Sequence, residues 1–197
     1  MSVWKLLRGR WGTGDAETDD IRIDASTNSI QTVDYSHHEI HAGSTYHVFV
    51  EASGGANTKA TISFQTPDST QWFHAVVTAV SNVAANLTIG EAATVTAASG
   101  SDFVPRNRNR NIATASTVIS AGSAGGAGNA TTGGTVSNFG TIFDEYQIGS
   151  GKTGGDARSI DEWVLKRNTV YAFEMESLAA TSVVKIEVDY YQHTDRH

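Results

Sequence analysis

The last third of the chain constrains its fold most. Beginning at Trp163, two runs follow one another, WVLKRNTVYAFEMES and TSVVKIEVDYYQH, in which apolar and polar residues alternate. In the second run Val184, Ile186, Val188 and Tyr190 share one side, and Lys185, Glu187 and Asp189 share the other. That period of two belongs to an antiparallel strand with one face buried, because a helix would scatter the charges around its axis. The pattern recurs upstream. Tyr46, Val48 and Val50 fall on one face of STYHVFVEAS, Ala60, Ile62 and Phe64 on one face of KATISFQT, and Leu87 and Ile89 are in register within ANLTIGEAATVTA. QWFHAVVTAV, from Gln71 to Val80, is apolar on both faces and reads as a central strand. SIQTVD, HHEIHA, TASTVIS and GTIFDEYQIG read as further strands. Gly43, the Gly54-Gly55 pair with Asn57, and Pro67-Asp68 mark turns.

Eight to ten short strands without a helical period imply an all-β chain: a single antiparallel β-sandwich or barrel, with a jelly roll the most economical arrangement. Residues 1–28 read as an N-terminal arm or first strand and 29–197 as the sandwich, with long loops at about 98–112 and 120–140. Ala121 to Gly134 is a Gly/Ala/Thr/Ser tract without apolar period, hence a loop, and the strands flanking it are too few to fold alone. A chain of 197 residues buries a core without covalent staples, which matters here because cysteine is absent.

Composition narrows the partners. With 14 Lys plus Arg against 21 Asp plus Glu, the net charge of −7 argues against nucleic acid and against an anionic membrane surface. No run of about 18 apolar residues occurs, and the opening MSVWKLLRGRW lacks a signal-peptide apolar core, so a soluble protein made in the cytoplasm is expected. Only 18% of residues are charged, below the roughly 25% of ordinary domains, while there are 19 Gly and 2 Pro. Such a surface of Ser, Thr, Asn, Ala and Gly suits extended loops and assembly contacts.

Chemistry-bearing motifs are sparse. Gly149-Ser150-Gly151-Lys152-Thr153 imitates the end of a phosphate-binding loop, but Tyr146 stands where that loop needs its first glycine, and TGGDARS follows in place of a helix. The glycines there read as turn residues. His37 and His41 would share one face of a strand with His38 on the other, so at most two of the three meet one ion and a third ligand must come from elsewhere. No pair of carboxylates and no nucleophile elbow stands out. The expectation is a protein without catalysis, cofactor or metal. Arg106-Asn107-Arg108-Asn109-Arg110-Asn111 places three arginines at alternate positions on one side of an extended segment. Each guanidinium is a planar fork for carboxylates or carbonyls, so the loop reads as an anchor for an acidic partner or a neighbouring subunit, or as a solvated loop with internal hydrogen bonds. In the arm, Trp4 and Trp11 sit among Lys5, Arg8 and Arg10, placed to pack on the domain or on a neighbour.

Taken in order, HHEIHAGSTYHVFVEA, SFQTPDSTQWFHAVV, the NRNRN loop, ARSIDEWVLKRNTVYAFEMES and VDYYQHTD resemble small structural proteins of tailed-bacteriophage virions that decorate or cement the head shell. The resemblance covers about His38 to Asp195, without the glycine tract and the arm. It implies a jelly-roll-like domain that self-associates, often as a homotrimer, and bridges major capsid protein subunits on the capsid surface of the virion. Arg106, Arg108 and Arg110 would then grip the partner, and Trp4 and Trp11 would bury apolar area in a neighbour. The competing expectation is a receptor- or carbohydrate-binding module of a phage tail or fibre, with Trp72, Trp163, Tyr190 and Tyr191 as its platform.

Overall fold

A computed structural model describes residues 35–122, 126–149, 155–158 and 162–193. The arm with Trp4 and Trp11, the strand expected at SIQTVD, and Ser150 to Thr153 of the glycine-lysine motif lie outside the described residues. Helix α1 (Tyr35–Ala42) leads into β1 (Thr45–Gly54), β2 (Lys59–Gln65), β3 (Trp72–Ser81) and β4 (Ala85–Glu91). Six short strands follow: β5 (Thr94–Val95), β6 (Ser101–Phe103), β7 (Arg106–Asn107), β8 (Ile119–Ser120), β9 (Ala130–Thr132) and β10 (Val136–Asn138). The chain ends through β11 (Thr141–Ile148), β12 (Gly155–Arg158), β13 (Trp163–Leu165), β14 (Val170–Ser177) and β15 (Ser182–His193).

Two antiparallel sheets form a sandwich. The first runs β12-β3-β15-β1-β7, with β13 also on β3, and the second β11-β4-β14-β2-β9-β6, with β8 also on β2. The pairing is nested: β1 meets β15, β2 meets β14, β3 meets β12 and β13, and β4 meets β11. The four strands β1 to β4 therefore alternate between sheets, and each contributes its apolar side to one shared interior. Val184, Ile186, Val188 and Tyr190 are fully buried, as are Ala60, Ile62 and Phe64, while Lys185, Glu187 and Asp189 face outward. At the centre Phe64 lies 5.7 Å from Phe73 and 5.5 Å from Phe173, and Phe73 stacks on Tyr190 at 4.9 Å. Each such side chain contributes roughly 1.5–3 kcal/mol by leaving water.

Several segments differ from the sequence reading. HHEIHA is part of α1, not a strand, and Gly43 ends it as a left-handed cap with φ of +76° rather than as a strand turn. Its N–H bonds Ile40 O at 3.1 Å, and Ser44 N–H bonds Glu39 O at 3.2 Å, so these two carbonyls of the last turn are satisfied. WVLKRNTVYAFEMES is broken at Arg167-Asn168, where Asn168 takes φ of +50°, and its halves enter opposite sheets as β13 and β14. The glycine tract carries β9, whose Ala130 and Thr131 are fully buried. β3 has neighbours on both sides but alternates: Phe73, Ala75, Val77 and Ala79 point inward, with Trp72, His74, Val76, Thr78 and Val80 on the outer side.

Candidate interaction surface

The arginine segment sits at one lateral edge of the sandwich. Arg106 and Asn107 pair with His47 and Tyr46 of β1, and Arg108 N–H continues that attachment to Thr45 O at 2.9 Å. Beyond Asn107 the backbone turns rather than extending. Asn107 is buried, donates through Nδ2 to Gly43 O at 2.7 Å, and accepts Asn109 N–H at 2.8 Å. Asn109 in turn accepts Asn111 N–H at 3.1 Å and donates to His41 O at 3.0 Å. The alternation is thus a division of labour, in which asparagines brace the backbone from within and Arg106, Arg108 and Arg110 are left exposed. Gly43 is essential to this bracing: a Cβ there would stand 2.7 Å from Ile112 Cδ1, in addition to its positive φ.

The following segment is locked as well. Tyr46 OH donates to Ala115 O at 3.0 Å, Ser116 Oγ and Tyr190 OH are 2.5 Å apart, and Gln192 Nε2 donates to Thr117 Oγ1 at 2.5 Å. Val118 then inserts fully into the core. Burial pushes the hydroxyls of Tyr46 and Tyr190 above the ordinary phenol range, so both remain protonated hydrogen-bonding groups. The arginines project from a fixed frame, which lowers the entropy lost when they meet a partner.

Each guanidinium has a partial engagement. Arg106 lies over the Phe103 ring at 5.8 Å, Arg108 Nη1 is 3.6 Å from Asp189 Oδ2, and Arg110 Nη1 reaches Asn107 O at 3.4 Å. Asp189 Oδ1 also meets His47 Nδ1 at 2.8 Å. The Arg108–Asp189 pair is exposed on both sides and worth about 0–1 kcal/mol, too little to tie up either group. A shallow depression lined by His47, Arg106, Asn107, Arg108, Arg110 and Asp189 thus carries three cations on a braced backbone beside one carboxylate. Its chemistry is carboxylate or carbonyl recognition.

His37 and His41 do meet, with Nε2 atoms 3.0 Å apart, but one helical turn apart on α1 rather than two strand periods. Both are exposed, and no group of three metal-ligating side chains gathers among the described residues. A second histidine pair was not anticipated. His74 on β3 and His193 on β15 bring their Nε2 atoms to 2.9 Å, with Tyr191 stacked on His74 at 4.7 Å and Glu162 Oε1 2.9 Å from His74 Nδ1. Burial holds the His74 imidazole below its ordinary 6.5, opposed by Glu162 and aided by His193. Both histidines occupy outward positions of alternating strands, which was the available signal, but only the β3–β15 register juxtaposes them.

The aromatic residues do not form one open platform. Tyr190 is core, Tyr191 is 8% exposed, and Trp163 packs edge-on against Phe143 at 5.0 Å, leaving Trp72 open at 49%. Compared with family models, with curated proteins and with solved structures, the chain matches none.

Proposed function

We propose that this chain is a non-enzymatic structural protein of a tailed-bacteriophage virion, which binds the outer surface of the capsid as a decoration or cement protein and bridges major capsid protein subunits. The observation that carries the reading is the arginine edge: three exposed guanidinium groups, at Arg106, Arg108 and Arg110, on a backbone fixed by buried asparagine and tyrosine bonds. A preorganised cationic edge on an acidic sandwich suits recognition of carboxylates in a repeating array, on the shell or on a neighbouring copy of the chain. The nested pairing of β1 with β15, β2 with β14, β3 with β12 and β13, and β4 with β11 supports the jelly-roll form of the sandwich.

In this reading the protein self-associates as a homotrimer, and Trp4 and Trp11 of the arm bury apolar area in a neighbour. Many copies on one lattice gain avidity, so each contact stays modest while the shell is held strongly. The test is co-sedimentation with empty shells from the same source. The wild-type chain is expected to sediment with them at one saturating ratio, and the variant R106A/R108A/R110A to remain in the supernatant with an unchanged urea midpoint. Equal binding by that folded variant removes the arginine edge from the account.

A further inference from the structure

The lateral edge opposite the arginines is formed by β11, which borders β4 in the second sheet and lies against β12 of the first. β7 and β1, by contrast, stand over the β9 side. Among the described residues no strand pairs with the outer side of β11. Its register shifts between Ile142 and Asp144, a bulge that interrupts regular strand addition. What this edge presents instead is side chains: Ile142 at 51% exposure, Glu145, Tyr146 and Gln147. Glu145 carries no ion pair among the described residues, whereas the neighbouring Asp144 is turned inward with its Oδ2 buried.

The two edges are complementary in charge and similar in apolar content. The arginine edge offers three cations next to Val104, 58% exposed, and the β11 edge offers the Glu145 carboxylate with the exposed Ile142. We propose that the arginine edge of one copy docks on the β11 edge of the next, a head-to-tail contact between copies of this chain. This rests on the reading that the protein self-associates, and it assigns Glu145 as the carboxylate that the arginines grip. A two-fold contact of the arginine edge with itself would gather guanidinium groups in excess over the Asp189 carboxylates, and one of the β11 edge would bring Glu145 towards its own copy, both repulsive on balance. Because the edges lie on opposite sides of one molecule, the contact is heterologous, and in the trimeric reading its repetition about a three-fold axis closes a ring, where an unclosed rotation would give a filament. The shell then meets an assembled ring, and loss of the arginines loses shell binding through lost avidity.

The experiment is sedimentation velocity at roughly 50 mM and roughly 500 mM salt, either side of strong screening. It compares the wild type, R106E/R108E/R110E, and E145K/Q147K, which changes exposed positions only. The wild type is expected to sediment as an oligomer at low salt and to dissociate at high salt. Each variant alone is expected at the monomer value, and their equimolar mixture to associate again, because one carries two acidic edges and the other two basic ones. A monomeric wild type at about 100 μM, a variant that stays oligomeric, or a mixture that stays monomeric overturns the proposal. An arginine variant that remains oligomeric yet fails to bind shells places the arginines on the capsid and leaves the decoration reading standing. A wild type that assembles through these edges but ignores shells does the reverse. A monomeric wild type whose shell binding depends on Glu145 assigns the β11 edge to a cationic capsid segment instead.

Discussion

Gly43 concentrates two constraints in one residue, since its φ of +76° ends α1 and its missing Cβ leaves room for Ile112. Gly43→Ala is therefore expected to cost ~1–3 kcal/mol in urea unfolding, the range for a left-handed alanine with a crowded neighbour. An unchanged midpoint would mean that the cap and the arginine loop relax independently. His74 supplies a second residue-level test. Burial lowers its proton affinity in the folded state, so below 6.5 the unfolded chain binds more protons and stability falls as pH falls. The groups facing it are Glu162, His193 and the Tyr191 ring, with Glu39 acting at longer range. Between about pH 7.5 and pH 5.5 the urea midpoint should drop in the wild type and drop less in His74→Gln; equal slopes would rule out His74 as the source.

Strands were legible wherever one face is buried and the other is not. β15 reads directly from sequence because Ile186 and Val188 are buried while Lys185 and Glu187 stay outside. Ile186→Ala is expected to cost ~2–5 kcal/mol through the cavity it leaves, and Lys185→Ala less than about 0.5 kcal/mol, both by urea titration. Comparable costs would contradict the assigned faces. The eight residues of YSHHEIHA carry little apolar period of either kind, so the strand expected at HHEIHA gives way to a helix that the Gly43 cap ends. The shared face of His37 and His41 holds in either form, since a spacing of four returns to one side in a strand and in a helix alike. β9 escaped notice because Ala130 and Thr131 are small, and their burial depends on pairing with β2, more than sixty residues earlier in the chain.

At the scale of the whole molecule, the arginine motif was legible but its setting was not. Alternation of Arg and Asn announced an outward cationic set, whereas the bonds of Asn107 and Asn109 to Gly43 and His41 arise only when β7 pairs with β1. The opposed β11 edge is likewise a product of sheet order, which a linear pattern does not encode. Because the proposed contacts are charged and exposed, shell binding should weaken as salt rises from about 50 mM to about 500 mM, as read by co-sedimentation; salt-independent binding would shift the contact to apolar groups such as Val104 and Ile142. The most direct test of the decoration reading is electron cryomicroscopy of empty shells saturated with the purified chain. Added density at symmetry-related positions on the outer surface, of a size to hold rings of this sandwich, is the expected result. Bare shells, with all of the protein left free in solution, would contradict it.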